Sequence, residues 1–376
     1  MVMGRGDPSV SDHMLKDAMN PLVAIADSLS ARGIRRITGR IVAGGDAFPD
    51  ATLGFGWSWD DFEDSYSAPI DELLFNEGFS VLHVRGGERA GDPVQVETRP
   101  ARSYPHVRVA AITVAASPAG DSTRPRVTAL RTRKDSVTWD VILQGQIAAR
   151  DSALVEVTHH DPTVAYLAAL REALTSRGIS VEGQSTDSTA RGDMLFDIQS
   201  PPLREILPAL MKPSQNQIAE MLFRTAALEE TGTGRADSAR AVVERQLKRW
   251  GVAESETVVR DGSGLSRYNY VSPRSLVKVL DAMRRSPNFR VYYDAMPIAG
   301  ADGTIRTRMR GTPAEGNVHA KTGTLAMARS LSGYVTTADQ HLLIFSFLSN
   351  NWTVPVRSVE RVQDVIAARL AGLRLR

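Results

Sequence analysis

The chain has no cysteine among its 376 residues. That excludes a disulfide framework, a thiolate metal site and a thiol nucleophile. Lysine is scarce: only Lys16, Lys134, Lys212, Lys248, Lys278 and Lys321 stand among 45 basic residues, so any motif that needs a lysine can be searched exhaustively. No apolar run reaches the roughly 18 residues that a membrane-spanning helix requires. Neither sign of charge is in excess, with 45 basic against 43 acidic side chains and a net charge of +2. The arginines are scattered, which argues against a nucleic-acid partner. The opening Met1-Val2-Met3-Gly4-Arg5-Gly6-Asp7-Pro8 lacks a basic start followed by an apolar core, so it does not read as a signal peptide. Gly-Arg-Gly-Asp-Pro reads as a tight loop. What is present is ordinary globular composition, 42% hydrophobic and 23% charged, which excludes a largely disordered chain.

The length suggests two or three domains. A helical pattern runs from about Leu15 to Ala31, and Ile34 to Val42 alternates like a strand. Asp46 to Ser67 is a loop that holds Trp57, Trp59, Phe62 and Tyr66 with few aliphatic neighbours. Trp57, Trp59 and Tyr66 either line a substrate pocket between domains or plug a seam between them. Short alternating runs recur at Val81–Val84, Val94–Thr98, Val107–Val114, Val127–Arg131 and Val137–Leu143, so this stretch reads as all-β. Asp161 to Arg177 is helical, and Asp187 to Pro202 is polar and turn-rich, a linker. From Leu203 the texture changes. Gln217–Leu228, Ala236–Trp250, Pro273–Arg285 and Ser358–Ala371 read as helices. Asn317–Ala320, Ser330–Thr337 and Leu342–Leu348 read as strands, which suggests an α/β sandwich with an antiparallel sheet.

Three spots carry chemistry. Lys321-Thr322-Gly323-Thr324 follows a strand. A lysine, hydroxyls and a glycine on an edge strand can hold a carboxylate and let a substrate backbone come close. A plain turn is the alternative. Pro213-Ser214-Gln215-Asn216 stands directly before a helix, where serine and asparagine are also preferred as caps. Asp261-Gly262-Ser263-Gly264-Leu265-Ser266-Arg267-Tyr268-Asn269 is a glycine-rich loop without a phosphate-binding pattern. His159-His160-Asp161 offers a metal pair only on paper, because adjacent side chains point apart. A turn with Asp161 capping the next helix is the simpler reading.

Taken in order, these motifs resemble those of the penicillin-binding DD-peptidases, and specifically the low-molecular-mass class C group typified by penicillin-binding protein 4. Ser214-Gln215-Asn216 is similar to the group's second element, Asp261 to Asn269 to its glycine-rich loop, and Lys321-Thr322-Gly323 to its third element. Gly4 to Pro8, Gly56-Trp57-Ser58-Trp59-Asp60-Asp61 and Ser67-Ala68-Pro69 also resemble it. The resemblance implies a serine-type D-Ala-D-Ala carboxypeptidase and endopeptidase of peptidoglycan metabolism. Its partners would be stem peptides ending in D-Ala-D-Ala and, for the full-length form, β-lactams. Its location would be periplasmic or extracytoplasmic, and no metal or organic cofactor is implied. Ser214 would pass a proton to the leaving amine, Asn216 would bond the substrate amide, and Lys321 would set the local potential and orient Ser214. Thr322 and Thr324 would bind the terminal carboxylate, with Gly323 admitting the substrate backbone. The Thr324 N–H would supply half of an oxyanion hole, and Arg267 would be a weaker contact at the substrate's edge.

The first element, Ser-x-x-Lys, is the difficulty. The residues three before the six lysines are His13, Arg131, Ala209, Arg245, Ser275 and Val318. Only Ser275-Leu276-Val277-Lys278 fits, and it lies after Ser214, whereas the resemblance places the nucleophile first. We therefore read Ser275 and Lys278 as a helical decoy and the nucleophile as absent from these 376 residues. By this reading the sequence lacks an N-terminal segment. The implied fold is a multidomain α/β chain. Residues 199–376 form the larger part of a penicillin-recognising catalytic domain, residues 1–75 with 152–198 an inserted α/β domain, and residues 76–151 a small nested β domain. Two functions of different class follow: a serine DD-peptidase, or a non-catalytic module that binds stem peptides.

Overall fold

The structure is a computed structural model that describes residues 1–115, 126–133, 139–183 and 193–375. The chain divides into two compact units. One comprises Met1–Leu53 and Trp59–Ser200, the other Gly54–Ser58 and Pro201–Arg376.

In the first unit, helices Met19–Ala31 and Pro162–Ser176 share a core of Leu22, Ala26, Leu167, Leu170 and Leu174. The helix expected from Leu15 is split. A short helix, Asp12–Leu15, ends at Lys16 with φ 64°. Asp17 then accepts the Met19 N–H at 2.8 Å, which starts the second helix afresh. The strand expected over Ile34–Val42 shrinks to Arg36–Ile37, paired in parallel with Ser180–Val181. Asp161 caps its helix through the Val164 N–H at 2.9 Å, as the sequence predicts. His159 is buried and stacked on Phe75, with Nε2 2.9 Å from Ser80 Oγ. Burial, reinforced by the Arg131 charge, pushes its pKa down to about 3, so it stays neutral. The alternating runs form two sheets. Phe79–Arg85 lies between Gln95–Arg99 and Ser152–Thr158, and Trp139–Ala148 pairs with Val107–Val109, Ile112–Val114 and Val127–Arg133. Leu82, Val84, Val141, Leu143 and Val157 form one core between them. The first residues of the Val137 run and part of the expected linker fall outside the described residues.

The second unit is built on an antiparallel sheet of His319–Leu325, Ala328–Thr336 and Leu342–Asn350, in that order. Strand alternation sorts its side chains. Ala320, Leu331, Val335 and Phe345 face helix Val356–Ala371 and pack with Ala367 and Ala371. Tyr334 and Ile344 face the other way, against Met211, Leu280, Ala295 and Met296. These last residues bring in helices Leu203–Met211, Pro273–Arg284 and Phe289–Ala295. The first of these is not legible in the sequence, because Pro208 inside it breaks the helical pattern. Gly333 lies opposite Ala320, where a Cβ would come within 2.1 Å of the His319 carbonyl oxygen. A glycine there is what lets the first two strands close up just before Lys321. Among the described residues no helix is long and apolar enough to cross a membrane.

Candidate active site

Ser214 stands in the turn between helices Leu203–Met211 and Asn216–Thr231 with φ 66°. A left-handed backbone at a residue other than glycine costs about 1–2 kcal/mol and persists only where the surroundings enforce it. Here the enforcement is visible. The Gln215 N–H reaches back to the Leu210 carbonyl at 2.8 Å. The Gln215 side chain, neither serine nor asparagine, caps the next helix through the Gln217 N–H at 2.9 Å. The capping alternative for Ser214 and Asn216 is thus replaced. The cap falls to the residue between them, Ser214 points its hydroxyl elsewhere, and Asn216 begins the helix.

That hydroxyl meets Lys321, 107 residues away in sequence, with Nζ donating to Ser214 Oγ at 2.5 Å. Lys321 Nζ also donates to the Thr322 carbonyl at 2.8 Å. The lysine lies on the outermost strand of the sheet. The Ala320 N–H bonds the Pro297 carbonyl and the Val318 carbonyl accepts from the Ala299 N–H, each at 3.0 Å, so a short loop covers the free edge only as far as Ala320. Because edge bonding alternates along an antiparallel strand, the N–H groups of Thr322 and Thr324 face that same free edge. Burial pushes the Lys321 ammonium down to about 8. Its folded pKa lies below the ordinary 10.5, so the cost of burying its charge is present at neutral pH and is relieved as pH rises through this window. Side-chain NMR of 13C-lysine protein is expected to show one of the six lysine signals titrating near pH 8. Ser214→Ala, which removes an acceptor of the charged form, is expected to move that midpoint lower still. A Lys321 midpoint near 10.5 would contradict the buried pairing.

Thr322 and Thr324 leave the strand on the face opposite Lys321, the face shared with Leu331 and Arg329. The Thr322 hydroxyl lies 2.8 Å from that of Thr304. Thr324 is exposed, and its hydroxyl accepts from Arg329. Gly323 lies opposite Ser330, whose Oγ would sit 2.4 Å from any added Cβ. The turn at Ser214 is clamped from behind. Lys212 Nζ reaches the Met296 carbonyl at 2.5 Å and Asp302 Oδ2 at 2.7 Å, and Asp302 Oδ1 also holds the Ile298 N–H at 2.8 Å.

The chain matches the D-Ala-D-Ala carboxypeptidase 3 (S13) family over residues 1–371. It belongs to that family. The D-alanyl-D-alanine carboxypeptidase of Actinomadura sp. (strain R39) is 32% identical, the match covering 98% of this chain and 68% of the relative. The D-alanyl-D-alanine carboxypeptidase DacB of Haemophilus influenzae is 26% identical over 93% of this chain and 71% of its own. The crystal structure of penicillin binding protein 4 from Haemophilus influenzae shares the fold, with TM-score 0.80 at 23% identity, covering 99% of this chain and 82% of that one. It has also been solved with a β-lactam bound, with TM-score 0.73 to this chain.

The remaining candidates of this family member are not all brought to Lys321. In the glycine-rich loop, Asp261 accepts from Gly264 N–H, Ser266 N–H, Asn269 Nδ2 and Trp57 Nε1 at 2.7–2.9 Å. Glu220, one turn into the helix that Asn216 begins, accepts the Gly262 N–H at 2.7 Å and the Ser263 N–H at 3.2 Å. Arg267 is exposed at the loop's surface. Trp59 is also exposed, and Tyr66 donates to Asp61 at 2.7 Å. Ser275 sits in a capping box, its N–H bonded to Ser272 Oγ at 3.0 Å and its own hydroxyl to the Ser272 carbonyl at 2.7 Å. Lys278 is bonded to Glu256 at 2.6 Å. Among the described residues no cluster of three or more His, Cys, Asp or Glu forms a metal site. Sequence reasoning missed Thr304, Arg329, the Lys212–Asp302 clamp and Glu220. Only Arg329 left a signal: a tight hairpin at Ala326-Met327 puts it opposite Thr324.

Proposed function

We propose that the second unit carries the recognition and proton-transfer half of a serine-type D-Ala-D-Ala carboxypeptidase and endopeptidase site, acting on peptidoglycan stem peptides. The observation that carries this reading is the 2.5 Å contact between Lys321 Nζ and Ser214 Oγ, made across 107 residues. Lys321 holds positive potential at the Ser214 oxygen, and its lowered pKa lets it exchange a proton with that hydroxyl near neutral pH. Ser214 relays a proton to the departing amine, and Asn216 bonds the substrate amide. The free-edge N–H of Thr324 donates to the scissile carbonyl oxygen, and the Thr322 and Thr324 hydroxyls take the terminal carboxylate. Arg267 is a peripheral contact. Such substrates place its work in the periplasm or another extracytoplasmic space, and the same site would admit β-lactams where a nucleophile completes it.

A second reading, recognition without acylation, is favoured by one observation. The single Ser-x-x-Lys of the sequence has both groups committed, Ser275 to a capping box and Lys278 to Glu256. Calorimetric titration with a blocked L-lysyl-D-alanyl-D-alanine tests what the two readings share. The D,D-peptide is expected to bind in preference to its L,L-isomer. Lys321→Met is expected to weaken binding by about ten-fold or more, the scale of a lost hydrogen bond to a charged group. Equal binding of the two isomers would sink the assignment.

A further inference from the structure

The Thr324 hydroxyl is not alone on its face of the sheet. Arg329 is its direct partner on the next strand, Thr324 opposite Arg329 in register, and the guanidinium donates to Thr324 Oγ1. Guanidinium can only donate. The threonine oxygen is therefore the acceptor, and its own proton is left to point outward. Thr324 is exposed, and its N–H faces the free edge by the alternation described above. The charge behind the hydroxyl is incompletely countered. The Glu360 carboxylate lies 3.7 Å from Arg329 Nε, beyond hydrogen-bond length. That Nε is buried without a hydrogen-bond partner among the described residues. The next carboxylate along the helix, Asp364, is occupied by Arg308 at 2.7 Å.

We propose that Arg329 is a specificity-determining residue for a C-terminal carboxylate, acting through the Thr324 hydroxyl. The guanidinium fixes the hydroxyl so that it donates outward, and adds positive potential where an anion would sit. An amide in the same place gains neither from the potential nor, to the same degree, from the outward proton. Arg329 is a positioning residue rather than a catalytic one, because Thr324 stands between it and the ligand. The inference rests on the reading of the Lys321 to Thr324 strand as the peptide site.

The experiment compares a blocked L-lysyl-D-alanyl-D-alanine with its C-terminal amide, by calorimetry on the full chain. The measured quantity is the acid-to-amide affinity ratio, which a purely structural role would leave unchanged because it weakens both ligands alike. Arg329→Met is expected to lower the ratio about five-fold, the scale of one hydrogen bond and a mostly buried charge acting through an exposed hydroxyl. Arg329→Gln, which keeps a donor for Thr324 without the charge, is expected to lie between Met and wild type, and Arg329→Lys near wild type. Glu360→Gln removes the distant countercharge and is expected to raise the ratio about two-fold. This gain does not depend on whether Arg329→Met folds. If Thr324→Val lowers the ratio while Arg329→Met and Glu360→Gln leave it at the wild-type value, the role of Arg329 is overturned and the carboxylate site stands. If wild type itself shows no acid preference, the carboxylate site is overturned and Arg329 with it.

Discussion

Intact-mass spectrometry of the 376-residue chain after incubation with a labelled penicillin is expected to show unmodified protein. Acylation needs a hydroxyl whose proton is removed by a nearby base, with two donors aimed at the developing oxyanion. The Ser275 hydroxyl is donated to the Ser272 carbonyl at 2.7 Å, and the Lys278 ammonium is held by Glu256 at 2.6 Å. Glu256 is itself held below the usual carboxylate range, chiefly by Lys278, so the Lys278 amine is turned to Glu256 and away from the Ser275 hydroxyl. Losing one oxyanion donor alone raises a barrier by about 3 kcal/mol, and losing the nucleophile removes the covalent route altogether. The free-edge N–H of Thr324 is the one donor we propose for this role. An adduct on Ser275 would identify it as the nucleophile in spite of its capping box. An adduct on Ser214 would make Lys321 its base and overturn the proton-relay role given to Ser214 here.

Glu220→Ala is expected to be strongly destabilising, at about 2–4 kcal/mol for two buried donors left without an acceptor, read from the urea midpoint of the full chain. Glu220 is 1% exposed and does two jobs. It accepts the Gly262 and Ser263 N–H groups, and it lies 3.8 Å from Arg224, which is buried beside it. Truncation leaves two loop donors without their acceptor and a cavity beside the buried Arg224. The pH dependence has a definite sign. Burial, with Asp261 adding to it, raises Glu220 to about 7. The folded state therefore holds this proton more tightly than the unfolded one. The corresponding stability is present below the unfolded pKa and is lost as pH rises through about 7. Glu220→Gln, which cannot titrate, is expected to flatten that part of the stability profile and to cost less than the alanine. A loss below about 1 kcal/mol for Glu220→Ala would mean that the loop is held mainly by Asp261.

The sequence made most elements of the second unit readable because they keep clean periods, the helices Leu203–Met211 and Phe289–Ala295 excepted. The strand from His319, the hairpin that follows it and the helix capped at Ser272 are found within a few residues of where they are expected. The pairing of Ser214 with Lys321 was readable only through the order of motifs, since nothing local to either residue refers to the other. What stayed hidden depends on burial or on which way a side chain leaves its strand. Glu220 and Arg224 are four residues apart, a spacing that on most helices marks a solvent-exposed pair, and no pattern says that this pair is inside. Thr322 and Thr324 were grouped with Lys321 by adjacency, yet strand alternation turns their hydroxyls to the opposite face, toward Thr304 and Arg329. The Lys212–Asp302 clamp joins residues 90 apart that no local rule connects.

The left-handed turn at Ser214 carries a consequence for laboratory evolution. A glycine would adopt that backbone without steric cost, at a gain of about 1 kcal/mol, while deleting the hydroxyl that Lys321 reaches. Selection of this chain for heat resistance above about pH 8, where Lys321 has shed its charge and needs the acceptor least, would therefore drift toward Ser214→Gly and produce a sturdier, blinder protein. Stabilised variants need a screen that reads ligand binding at every round, because at this residue robustness and chemistry pull in opposite directions.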